Sequence, residues 1–212
     1  MDLLANLSQS LQDGDDEKVA ALTKEALAAG MSAKQILDNA LISGMTVIGN
    51  RFKAHEIFLP DVLLSARAMY AGLELLKPLF LKDDIPSRGK VVVGTVQGDL
   101  HDIGKNLVSI MLKGAGYEVI DLGNDVPPER FVDTAVAQGA AIIGLSALLT
   151  TTMPVMSQVA ALLKERGLTG RIKLIIGGAP VSDAYAREIG ADAYGFDAVK
   201  AVEIVDRFLM RQ

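Results

Sequence analysis

Past residue 90 the chain repeats one pattern: a short run of aliphatic and β-branched residues, then a longer stretch with apolar positions at helical spacing. The runs are VVVGTV (91–96), YEVIDL (117–122), AIIGLSA (141–147) and IKLIIGG (172–178). Runs that lack polar alternation mark strands covered on both faces, as in a parallel sheet. Helical stretches near 104–115, 128–138, 152–166, 180–189 and 197–211 separate and follow them, which makes repeated βα units. A chain patterned in this way folds as a doubly wound sheet, with a short fifth strand expected near 191–195. Ligands of such sheets bind beyond the carboxyl ends of the strands. Chemistry is therefore expected in the loops after Val96, Leu122, Ser146 and Ile176.

The first eighty or so residues are patterned differently. Val19, Leu22 and Ala26, then Ile36, Ala40, Met45 and Ile48, recur at spacings of a helical face. Breaks fall at Asp13–Asp16, at Gly30–Ser32 and at His55–Pro60, where Gly, Asp, Ser and Pro supply stop and cap signals. Four helices are expected, at 2–12, 15–29, 32–53 and 59–80, and a bundle buries their apolar faces with short loops. LKDDIPSRGK (81–90) has the charge, Pro and Gly of an exposed connection. The expected organisation is a helical cap domain over 1–85 and a flavodoxin-like (Rossmann-type) α/β domain over 90–212.

Composition narrows the function classes. The 212 residues carry 21 basic and 26 acidic side chains, so no electrostatic footprint for nucleic acid is expected. The chain has no cysteine, which removes disulfides, thiolate nucleophiles, iron–sulfur clusters and Cys-based zinc sites. Its only histidines are His55 and His101, so a tris-His site within one chain is impossible. No stretch reaches the length of an apolar membrane span, and MDLLANLSQSLQDGDDE lacks the basic start of a secretory signal. A soluble, cytoplasmic protein is expected.

GTVQGDLHDIGKNLV (94–108), the loop after the first strand, gathers Gly98, Asp99, His101, Asp102 and Gly104 where a doubly wound fold places its site. Asp99 and His101, two apart on extended backbone, face the same side. The carboxylate can accept the Nδ1 proton and leave Nε2 pointing outward as a metal ligand. Other patterns fail here. A phosphate-binding P-loop is missed, because Gly98 and Gly104 are separated by five residues and Asn106 stands at the hydroxyl position. A two-metal hydrolase would need further His and Asn ligands that the chain lacks.

Asp99-x-His101-x-x-Gly104, then Ser146-x-Leu148 after the third strand and Gly177-Gly178 after the fourth, resembles the DxHxxG…SxL…GG signature of cobalamin-binding domains. GMTVIGNRFKAHEIFLPDVLLSARAM (44–69) resembles the helical cap of corrinoid proteins in methyltransferase systems. Those are the small subunits serving methanol, methylamine or methoxyaromatic methyltransferases, and they share this module with cobalamin-dependent methionine synthase. The resemblance covers nearly the whole chain.

The resemblance implies cobalamin as cofactor, with His101 as lower axial ligand in place of the displaced nucleotide base and Asp99 bonded to its other ring nitrogen. Thr152 matches a relay hydroxyl that is Ser in the methionine synthase relatives. Gly98, Asp102, Ile103 and Gly104 line the same loop. Ser146, Leu148 and Thr150, with Gly177 and Gly178, would line a slot for the nucleotide tail. Thr150–Thr152 also reads as a capping run for the following helix. Phe52, Leu59 and Val62 match apolar residues over the upper corrin face, although helical spacing also fits them as bundle core; His55 matches no ligand position.

The implied function is a corrinoid methyl carrier. It accepts a methyl group on Co(I) from a donor held by a substrate-specific methyltransferase and passes it to a thiol or tetrahydrofolate acceptor on a second methyltransferase, with a reductive activation protein as a further partner. Catalysis would come from those partners, and residues 81–90 would be the hinge that lets the cap swing aside. A cobalamin-dependent sensor is the alternative, but no basic recognition helix or output domain is apparent. A receiver-like module would need a phosphorylatable Asp after the third strand, where Ser146 and Ala147 stand.

Overall fold

A computed structural model describes residues 2–83 and 87–210. The chain divides into two compact units, one spanning residues 1–86 with 114–116, the other 87–113 with 117–212. The middle of the expected connection, residues 84–86, lies outside the described residues.

In the first unit, α1 (Leu3–Gln12), α2 (Asp16–Ala28), α3 (Ala33–Ile36), α4 (Ser43–Lys53) and α5 (Leu59–Asp83) form the helical layer. Caps decide where they begin. The Asp15 carboxylate accepts from the Lys18 amide, and Ser32 with Gln35 makes a reciprocal capping box. Gly14 and Gly30 turn the chain with φ of +73° and +83°. The expected single helix over 32–53 is continuous but widened: residues Leu37–Ile42 form a π-helical segment joining α3 to α4. Spacing could not show this, because the buried positions Ile36, Ala40, Gly44 and Ile48 keep a four-residue interval through it. α5 runs on to Asp83 through Pro78, past the expected end at residue 80.

The second unit is a five-stranded parallel sheet in the order β2-β1-β3-β4-β5. Its strands are β1 (Lys90–Thr95), β2 (Glu118–Asp121), β3 (Ile142–Ser146), β4 (Lys173–Gly177) and β5 (Ala193–Gly195). Between and after them run α6 (Ile103–Gly114), α7 (Pro128–Gln138), α8 (Pro154–Glu165), α9 (Asp183–Ile189) and α10 (Ala198–Leu209). α8 and α9 start two or three residues later than their periodicity suggested. Thr151–Met153 instead form a turn, and Ser182 caps α9 by accepting from the Tyr185 amide.

One face of the sheet packs Val92, Ile143, Leu145, Leu174 and Ile176 against Phe131 and Val132 of α7 and Met156, Val159 and Leu163 of α8. Gly94 is glycine because a Cβ there would lie 2.6 Å from the Phe131 ring. Thr95, Ser146, Gly177 and Gly195 pair in one row across four strands. That row ends the sheet. Strand order reverses between β1 and β3, and it is at the carboxyl ends of the strands at such a switch point that sheets of this kind bind their ligands.

Candidate functional site

At this switch point the first motif and the loop after β3 meet. Asp99, fully buried, lies just past β1 and is wrapped in donors. Its Oδ1 accepts from the His101 amide at 3.1 Å and from His101 Nδ1 at 2.7 Å. Its Oδ2 accepts from the amides of Leu148 at 2.7 Å and Leu149 at 3.1 Å, and from the Thr152 hydroxyl at 2.9 Å. Leu148, Leu149 and Thr152 all belong to the loop after β3. One carboxylate thus ties together the loops that leave β1 and β3.

Burial pushes the Asp99 carboxyl up, yet the His101 ring, the Leu148 and His101 amides and the Thr152 hydroxyl together hold it well below the usual carboxylate range. An ionised carboxylate only accepts, so the proton between Asp99 and His101 sits on Nδ1. In the neutral ring that arrangement leaves the lone pair on Nε2. The His101 side chain is 52% exposed while its partner is fully buried, so the imidazole is anchored at one nitrogen and open at the other. This is how proteins prepare a histidine for a metal.

The remaining residues follow the same geography. Gly98 (φ +81°) makes the turn into the loop. Asp102 is half-buried, and its carbonyl accepts from the Asn106 amide. Ile103, 73% exposed, opens α6; Leu148 and Leu149 are exposed on the β3 loop, and Thr150 is exposed in the turn that follows. Ser146 is half-buried at the end of β3.

Gly177 and Gly178 have an internal reason to be glycine: a Cβ on Gly177 would sit 2.8 Å from the Gly195 carbonyl, and one on Gly178 (φ +131°) 1.8 Å from the Ala147 carbonyl. Gly104 has none. Nothing lies within 4 Å of where its Cβ would be, and its φ is not in the left-handed region. Space beside a helical glycine at the site is what a bulky planar ligand requires.

Among the described residues no group of three or more His, Asp or Glu side chains could hold a metal ion. A lone imidazole suits a metal that brings its other ligands in a macrocycle. With the open flank of Gly104 and the apolar rim of Ile103, Leu148 and Leu149, the donor set fits a corrinoid.

In the helical unit, Phe52 lies at the end of α4, with Leu59 and Val62 in the first turn of α5. Phe52 and Leu59 are half-buried, whereas Val62 is wholly buried. His55 is exposed in the intervening turn with φ +58°.

Sequence reasoning missed Thr95, Leu100, Leu149, Asn124 and Asp125. Buried Thr95 donates its hydroxyl to the His101 carbonyl at 2.9 Å, and Asn124 and Asp125 bond to the same loop from the far side. Their position after the second strand was a signal, but which polar residue turns inward depends on the tertiary fold.

These features define a class: a doubly wound domain with a cofactor site at its switch point and one histidine prepared for a metal. The chain matches the B12 binding domain model over residues 89–203 and a second B12 binding domain model over 3–77, so it belongs to the B12-binding family, whose cofactor is cobalamin. It is 44% identical to a corrinoid protein of Desulfitobacterium hafniense, covering 99% of this chain and 98% of that one. It is 42% identical to trimethylamine corrinoid protein 1 of Methanosarcina mazei, with 99% and 98% covered. Its fold is similar to one chain in the crystal structure of the methanol:cobalamin methyltransferase complex of Methanosarcina barkeri, with TM-score 0.90, 32% identity and coverage of 99% of this chain and 80% of that chain. It is also similar to a cobalamin-binding protein of Desulfitobacterium hafniense, with TM-score 0.79, 34% identity and 98% of each chain covered.

Proposed function

We propose that this protein is a corrinoid methyl carrier in which His101 would hold the cobalt through Nε2. The observation that carries this reading is the His101 ring, held at Nδ1 by a buried, ionised Asp99 and open at Nε2, in a chain of the B12-binding family. When bound, the corrinoid supplies a cobalt that is strongly nucleophilic in its lowest oxidation state and can accept and release a methyl group. The protein's part is binding and orientation. Asp99 fixes the tautomer and strengthens donation from Nε2. Thr152 Oγ1 is 2.9 Å from both Asp99 Oδ2 and the Leu149 carbonyl, so its single proton can serve either acceptor. This suits Thr152 to the relay position.

Ser146 and Thr150 offer hydroxyls, and Gly177 and Gly178 bare backbone, to a displaced nucleotide tail. Phe52 and Leu59 of the helical unit would supply an apolar cover that keeps water from the reactive group. The relatives named for trimethylamine and the neighbour solved as a methanol methyltransferase complex support a methyltransferase partner that holds the donor. A second methyltransferase on the acceptor side and a reductive activation protein complete the reading.

The test compares the protein and His101→Ala after incubation with cobalamin, by absorption and electron paramagnetic resonance. With 15N-labelled protein the Co(II) signal is expected to show the doublet splitting of a protein nitrogen, and the variant to bind corrinoid without that splitting. Identical spectra from the two would overturn the assignment.

A further inference from the structure

The loop that presents His101 is held by more than Asp99, and its other holders come from the segment between β2 and α7. There Asp125 adopts a left-handed backbone (φ +52°), a conformation that costs any residue other than glycine, with Asn and Asp the best tolerated. Two hydrogen bonds accompany that strain. Asp125 Oδ1 accepts from the Gly98 amide at 2.8 Å, and the Asp125 amide donates to the Asp99 carbonyl at 3.0 Å. Next to it, Asn124 Nδ2 donates to the Leu100 carbonyl at 3.3 Å. Residues 98, 99 and 100 are therefore each fastened, in succession, to one dipeptide. The segment is itself tied to the end of β1, because the Thr95 amide donates to the Gly123 carbonyl and the Val126 amide to the Thr95 carbonyl.

We propose that Asp125 is a positioning residue for His101: its left-handed backbone and its carboxylate together clamp the Gly98–Leu100 turn, so that the imidazole is presented to cobalt from a fixed backbone. The clamp acts on the turn before His101, while Asp99 acts on the ring. Both are needed because a carboxylate that rides on a loose turn cannot fix the ring it holds. The role in axial ligation rests on the carrier reading above; the clamp itself does not.

Asp125 is exposed, so its substitution leaves the core intact. Asp125→Gly keeps the left-handed backbone and the amide donated to Asp99 but removes the acceptor for Gly98. Asp125→Asn keeps both. The first readout needs no cofactor: amide hydrogen exchange at Gly98 in the full chain is expected to speed up about tenfold in Asp125→Gly and to return to the parent rate in Asp125→Asn. The second uses cob(II)alamin bound to the same proteins. With 15N-labelled proteins, the ratio of cobalt ligated by the labelled nitrogen to cobalt without it is expected to fall about tenfold in Asp125→Gly, with rescue in Asp125→Asn. Unchanged exchange in Asp125→Gly overturns the clamp. Faster exchange with an unchanged ratio overturns the positioning role. If the parent protein itself shows no nitrogen-ligated cobalt, the carrier reading falls and the role in ligation with it, while the exchange data still report on the clamp.

Discussion

Gly104 separates residues that the fold needs from residues that a ligand needs. Gly178 cannot carry a side chain in the folded chain at all, because its Cβ would fall inside the Ala147 carbonyl. Gly104 meets nothing, and it stands near the start of α6 where alanine is the better helix former. Gly104→Ala is therefore expected to raise stability by about 0.5–1 kcal/mol while weakening cobalamin binding, checked by urea unfolding and by an absorption titration. Thr152 behaves in the opposite way. Its hydroxyl satisfies a buried carboxylate, so Thr152→Ala is expected to lose about 1 kcal/mol of stability and Thr152→Ser to keep most of it, read from the same unfolding curves. The sequence named both positions through the motif, but the reason for each came from its neighbours.

At the scale of elements, the β2 edge of the sheet is secured by partly buried polar contacts that no motif announces. Lys105, only 4% exposed, extends from α6 to both oxygens of Asp121 at the end of β2, which also accepts from the Gly123 amide. This ion pair fixes the edge strand to the helix that follows the His101 loop. Before β2, the buried Tyr117 hydroxyl donates to Asp206 of α10, and Arg88 lies over its ring and against the same carboxylate.

Burial lifts the Tyr117 phenol, and the hydrogen bond to Asp206 and the Asp206 charge lift it further, against a lowering pull from Arg88. A raised acid is neutral and stabilising below its unfolded value, and that stabilisation is lost as pH climbs above it. The protein is thus expected to lose stability steeply above a pH of about 10, and Tyr117→Phe to be less stable near neutrality by about 1 kcal/mol but flatter in that alkaline range. Chemical denaturation across pH measures both. Periodicity located α6, β2 and α10 to within a residue or two, yet it could not say which of their polar residues would be buried.

At the scale of the whole molecule, the carrier reading asks the helical unit to shield a reactive group and also to release it. Phe52 is the most informative position, since it is aromatic and half-buried at the end of α4. Phe52→Ala is expected to speed the loss of the methyl group from bound methylcobalamin in light or water, with corrinoid still bound. An unaltered decay rate would remove Phe52 from the cover.

The sequence by itself determined the alternation of strand and helix and the helical character of the first eighty residues, because periodicity and turn chemistry are local; the motif residues proposed for the site came from the resemblance to cobalamin-binding domains. Only the tertiary structure decided that Asp99 reaches across to Leu148, Leu149 and Thr152, that Asp125 turns inward, and that α3 and α4 join through a wider turn. Those outcomes depend on strand order and on which backbone amides a buried carboxylate can reach, and chain separation carries no record of either.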